Sequence, residues 1–198
     1  MDGVFGTGGL VTHDLGGTDA FLTSLVVLPD DSIIAAGQRS GTEPEFVVAR
    51  FDTAGALDPL FGSGGVAVVD FGGAAESAQS IALQDDGKIV VAGYSESLPG
   101  GELLRDFAVT RLLANGALDP VFGSGGRTVI DVSPGEGDVA IGMALEPDGD
   151  VVVSGVTRDA AEFSDVAVVR LLGDHRGLPL FVSDFETGDL SDWSTASP

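Results

Sequence analysis

The phrase ALDPLFGSGG at residues 56–65 returns as ALDPVFGSGG at 117–126, and a reduced copy, MDGVFGTGG, opens the chain. A phrase repeated at a near-constant interval means like units that fold alike and cover one another's apolar sides. Phe5 and Phe61 stand 56 residues apart, and the same interval carries Asp14 to Asp70, Leu25 to Ile81 and Gly37 to Gly93. From the second copy to the third the interval is 61 at Phe61 and Phe122 but 62 at Leu83 and Leu145. One residue is therefore inserted near residues 134–138, which predicts a loop there. The repeat covers 1–172, in units of about 1–45, 46–106 and 107–172, and leaves 173–198 as a divergent C-terminal tail.

Each unit reads as four short strands. The first follows the double glycine (LVTHDL, VAVVDF, RTVIDV), where β-branched residues suit a pleated surface. The second and third form a hairpin: SLVVLPDDSIIAAG, SIALQDDGKIVVAG and GMALEPDGDVVVSG. In the second strand large residues alternate with smaller ones. The third is apolar at every position and too short for a helix, so it reads as buried on both faces. It closes on Gly37, Gly93 or Gly155, where a missing side chain admits a close neighbour. The fourth strand is EFVVARF, DFAVTRL or DVAVVRL. In the PDG and DDG turns glycine takes a left-handed conformation, so Gly87 and Gly149 are expected at positive φ, and Asp31, in the same register, as well. Short antiparallel strands in fours, buried on both faces and repeated at this period, predict an all-β chain of tandem blades: a partial or open β-propeller of three repeats.

At residues 46–94 the order of a phenylalanine-rich strand with arginine, then LD, FG, GG and LQDDGKIVVAG, resembles the delta-60 repeats of bacteria, and residues 1–43 and 107–156 follow it with more drift. The resemblance implies propeller-like modules of exported or surface proteins without assigned catalysis. The segment DFETGDLSDWSTASP, with Trp193 as an aromatic anchor, is similar to short tails that end many exported bacterial proteins. Together these imply an extracellular or cell-surface setting and a natural C-terminus.

The chain has 31 acidic and 9 basic residues, a formal charge of −22, which disfavours nucleic acid and anionic lipid as partners. There is no cysteine for a disulfide or a thiolate metal site, and no apolar run long enough for a membrane span. His13 and His175 do not recur between units, and no G-x-S-x-G elbow or P-loop lysine is present. No catalytic set can be assembled, so the chain reads as a non-enzyme.

Carboxylates offer more. Asp30 and Asp31, Asp85 and Asp86, and Asp148 with Asp150 share the hairpin tips, and calcium, the one cofactor left open, takes oxygen ligands from such clusters. The tips lack an EF-hand pattern, and turn formation accounts for them more simply. Arg50, Arg111 and Arg170 recur at the end of the fourth strand. They are expected to form structural ion pairs with Asp14, Asp70 and Asp131, with Asp58 and Asp119 as rival partners eight positions on. The leading reading is a structural or interaction module of an exported bacterial protein. The alternative is a carbohydrate- or calcium-binding propeller domain. Because propellers close with four to eight blades, the end faces call for further blades or a second copy, and a glycan or protein ligand is possible at the loops.

Overall fold

The computed structural model describes residues 3–98, 101, 103–158 and 164–172, and the backbone of 179–184. Among the described residues, twelve strands form three four-stranded antiparallel sheets. Blade 1 comprises β1 (Ala20–Val27), β2 (Ile33–Arg39), β3 (Glu45–Phe51) and β4 (Val66–Val69). Blade 2 comprises β5 (Ala75–Leu83), β6 (Ile89–Ser97), β7 (Leu104–Leu112) and β8 (Arg127–Ile130). Blade 3 comprises β9 (Val139–Leu145), β10 (Val151–Arg158), β11 (Ser164–Leu171) and β12 (Pro179–Asp184). The strands pair in chain order within each sheet. Neighbouring sheets approach most closely along β1, β5 and β9, which places these inside and β4, β8 and β12 outside. The architecture is an open β-propeller of three blades.

The sheets lie one strand out of phase with the repeat. VAVVDF, which opens the second unit, supplies β4 as the outer strand of blade 1, paired from Phe46↔Val69 to Ala49↔Val66. RTVI does the same for blade 2. The expected first strand of the first unit, LVTHDL, is not a strand: only Leu10 makes an isolated bridge, to Gly6. Such a segment becomes a strand by pairing with the last strand of the unit before it, and among the described residues no strand precedes this one. Pro179–Asp184, inside the segment set apart as a tail, runs as β12 against β11. The rest of that tail, with His175 and Trp193, lies outside the described residues.

Two-sided burial follows from the stacking. Along β2, Ile34 and Ala36 face blade 2, where they meet Ile89 and Val91 of β6. The alternate β6 residues, Val90 and Ala92, face blade 3 and meet Val151 and Val153 of β10. A middle strand is apolar at successive positions because each of its faces belongs to a different interface. Phe61 and Phe122, from the repeated phrase, are fully buried in the first and second of these cores. Each phenylalanine closes the outer part of the seam between two blades.

Candidate functional site

The strand pairing decides which recurrent charges meet. β4 runs antiparallel to β3, so Val66 lies opposite Ala49, beside Arg50, and Val69 lies opposite Phe46, beside Glu45. Asp70 therefore stands at the far end of the blade from Arg50. The pairing of Arg50, Arg111 and Arg170 with Asp14, Asp70 and Asp131 is absent among the described residues: the antiparallel outer strands carry Asp70 and Asp131 away from the arginines, and the segment that holds Asp14 is not a strand. Instead the ALDP loop folds back on the strand that precedes it. Asp58 N donates to the Arg50 carbonyl and Asp119 N to the Arg111 carbonyl, each at 2.9 Å. Arg50 Nε then lies 3.3 Å from Asp58 and its Nη2 3.5 Å from Asp30. Arg111 Nε donates to Asp119 at 2.8 Å with both side chains buried, and the guanidinium lies 5.0 Å from the Phe122 ring centre. In blade 3, Arg170 takes Glu146 at 2.7 Å.

The hairpin-tip aspartates build turns. Asp30 Oδ1 accepts from the Ser32 amide and hydroxyl, Asp86 Oδ1 from the Lys88 amide, and Asp148 Oδ1 from the Asp150 amide. The Ser32 hydroxyl, with help from Arg50, holds the Asp30 carboxyl below the usual carboxylate range. Asp86 is also lowered: burial pushes the other way, but the bonds from Lys88 outweigh it. Asp31 sits at φ 64°, Gly87 at 82° and Gly149 at 93°. Asp31 and Asp85 make no cation-holding group with their neighbours among the described residues. Asp148 and Asp150 gather with Glu146, which is already tied to Arg170. His13 reaches across the chain, its Nε2 donating to the Gly55 carbonyl at 2.8 Å rather than to a near neighbour in sequence.

A different set of acids converges at the opposite end of the blades. Asp106 lies in β7, Asp131 directly follows β8, and Asp138 directly precedes β9. One carboxylate oxygen from each lies within 4.8 Å of the other two. Asp138 is fully buried. Its Oδ2 accepts from the Val132 amide at 2.7 Å and the Ser133 amide at 3.1 Å, and so shapes the loop that holds the inserted residue. Its Oδ1 is buried with no hydrogen-bond partner. Burial, then the charges of Asp131 and Asp138, push the Asp106 carboxyl up; burial, then Asp138, does the same to Asp131.

The set has a counterpart at the junction of blades 1 and 2. There Glu45, Asp70 and Glu76 occupy the same register, and together with Pro44 and Gly73 they line one small cleft. Glu76 is buried, its Oε1 accepting from the Phe71 and Gly73 amides at 2.7 and 3.2 Å and its Oε2 left without a partner. Burial raises its pKa most, opposed by those two amides and reinforced by Asp70 and Glu45. Sequence reasoning singled out Asp70 and Asp131 but missed Glu45, Asp106, Glu76 and Asp138. The available signal was an acid in register at three places in two consecutive units. It lacked meaning until the outer strand was known to belong to the preceding blade.

Residues 28–61 and 84–122 match a family described as a domain of unknown function (DUF5122), a beta-propeller. Both DUF5122-like segments begin at a hairpin tip and end on the buried phenylalanine of the repeated phrase, Phe61 or Phe122. The match thus spans the two middle strands and the fold-back loop with its arginine–aspartate pair. No curated protein matches the chain.

Proposed function

We propose that this chain is a non-catalytic stacking module of an exported bacterial protein, set outside the cell or on its surface, which receives another blade of the same kind against blade 1. One observation carries the reading. Ile81 of β5 is 7% exposed beneath blade 1, whereas Leu25 and Val27 of β1 are 59% and 60% exposed on the equivalent face of blade 1. Beside them the segment from Phe5 to Leu15 repeats the docking of the outer connection of blade 1 on blade 2. Gly6 N donates to the Ala54 carbonyl at 2.9 Å, as Gly62 N donates to the Asn115 carbonyl at 2.8 Å. Phe5 closes on Gly55 as Phe61 closes on Gly116. On blade 2 that connection arrives with the remainder of blade 1. The matching occupant over blade 1 is therefore a sheet with one apolar face and a free outer edge for residues 10–15.

The non-catalytic part of the reading is supported by the structural use of the recurrent polar residues: Arg50 and Arg111 hold fold-back loops, and Asp30 and Asp86 hold turns. The export part is supported by the likeness of the repeats and of the terminal segment to those of exported proteins. Sedimentation velocity tests the stacking. The wild-type chain is expected to associate increasingly with concentration, and Leu25→Asp with Val27→Asp to abolish this without lowering the melting temperature. Ile81→Asp, at the occupied equivalent, is expected to cost about 3–5 kcal/mol of stability by placing a charge in a packed seam. A wild-type chain that stays monomeric at every concentration overturns the reading.

A further inference from the structure

The geometry points to a calcium-binding site at the junction of blades 2 and 3, formed by Asp106, Asp131 and Asp138. Three carboxylates from three different elements place oxygens within 4.8 Å of one another, and one of them, Asp138, is fully buried. A buried carboxylate needs a counter-charge or a full set of hydrogen bonds, or it costs several kcal/mol. Asp138 has two backbone amides on Oδ2 and none on Oδ1. One of its oxygens lies within 4.8 Å of an oxygen of each of the two further acids, and among the described residues no cation pairs with it.

Two cations on the strands that carry the site, β7 and β8, are directed elsewhere. Arg105 Nε donates to Glu96 at 2.6 Å, and its guanidinium stacks on Tyr94 at 4.5 Å. Arg127 Nη1 donates to the Asp70 carbonyl.

The junction of blades 1 and 2 supplies the comparison. There the cluster includes an arginine: Arg39 pairs with Glu45 at 2.8 Å from the facing position on β2. In blade 2 the residue facing Asp106 is Ser95. The same acidic arrangement thus recurs with its positive side chain replaced by a neutral one. Among the described residues no positive side chain takes its place, and the counter-charge is assigned to an ion from solution.

The three carboxylates lie close enough to share one ion, and calcium takes oxygen ligands at about 2.3–2.6 Å in a flexible geometry that such a set can supply. Magnesium requires near-ideal octahedral geometry at shorter distances and gives up its water reluctantly. Asp131 is solvent-exposed and opens the site to an incoming ion. Because the ligands come from β7, from the end of β8 and from the loop before β9, a bound ion ties the outer part of blade 2 to the start of blade 3.

The test uses the full chain stripped of calcium, with calcium chloride followed by equilibrium dialysis and by thermal melting. Binding at this junction is expected with a Kd of about 10⁻⁴–10⁻³ M, the range of extracellular calcium modules, and with a rise in melting temperature that magnesium does not reproduce. Asp131→Asn, a surface change that leaves the core intact, is expected to weaken binding at least tenfold while leaving the calcium-free chain as stable or more so, because it removes a like charge. Asp148→Asn, at a hairpin tip, is expected to leave this binding unchanged. No binding at millimolar calcium, or binding that survives Asp131→Asn and disappears with Asp148→Asn, overturns the site.

Discussion

Asp31 is the non-glycine residue held at positive φ among the described residues, at a turn where the later units carry Gly87 and Gly149. Replacing it relieves a left-handed aspartate, so Asp31→Gly is expected to stabilise the chain by about 0.5–1 kcal/mol in urea unfolding. That feature was legible in the aligned DDS, DDG and PDG turns, since turn type follows from a few local residues. The buried pair of Arg111 and Asp119 was only half legible. Both Asp119 and Asp131 recur at suitable spacings, and only the antiparallel register carries Asp131 to the far end of the blade. Removing one member of a buried pair leaves the other desolvated. Arg111→Ala is accordingly expected to cost about 3–5 kcal/mol, read from the shift in denaturation midpoint.

At the level of strands, each inner hairpin carries a break in register, between Leu22 and Ser24, Ala78 and Ser80, and Ser154 and Gly155. The glycine opposite or at the break lets the partner carbonyl approach closely: a Cβ on Gly93 would collide with the Ser77 carbonyl. A bulge of this kind twists the inner strand and bends the sheet, as a blade requires. Gly93→Ala is expected to lower stability by about 3 kcal/mol, because the obstructing atom is backbone and cannot swing aside. The apolar runs and closing glycines announced the middle strands plainly. Assignment of the outer strand was not legible, since a short β-branched segment reads the same whether it opens one sheet or completes another. For the same reason the acids at the blade junctions escaped notice: Asp70 and Asp131 looked like neighbours of arginine until their sheet was known.

Across the whole molecule, acidic repulsion and stacking act together. Glu76, Asp106 and Asp131 hold protons more readily folded than their ordinary values would allow. Their penalty is therefore fully present above the raised folded pKa and is relieved as pH falls through it. Asp30 and Asp86 behave oppositely, and their contribution is lost as pH falls through their lowered folded values. In calcium-free buffer the melting temperature is expected to rise on mild acidification and then to fall at lower pH, with Asp131→Asn flattening the rise. Circular dichroism melts across pH check both limbs. Among the described residues no helix is long and apolar enough to cross a membrane. The offset between repeat and sheet bears on how such arrays change in length. A recombination event that loses one whole repeat removes the outer strand of one blade and the three inner strands of the next, and what survives rejoins as a complete sheet; a gain inserts the same four strands. Copy number can then drift over generations without ever exposing a raw seam inside the array.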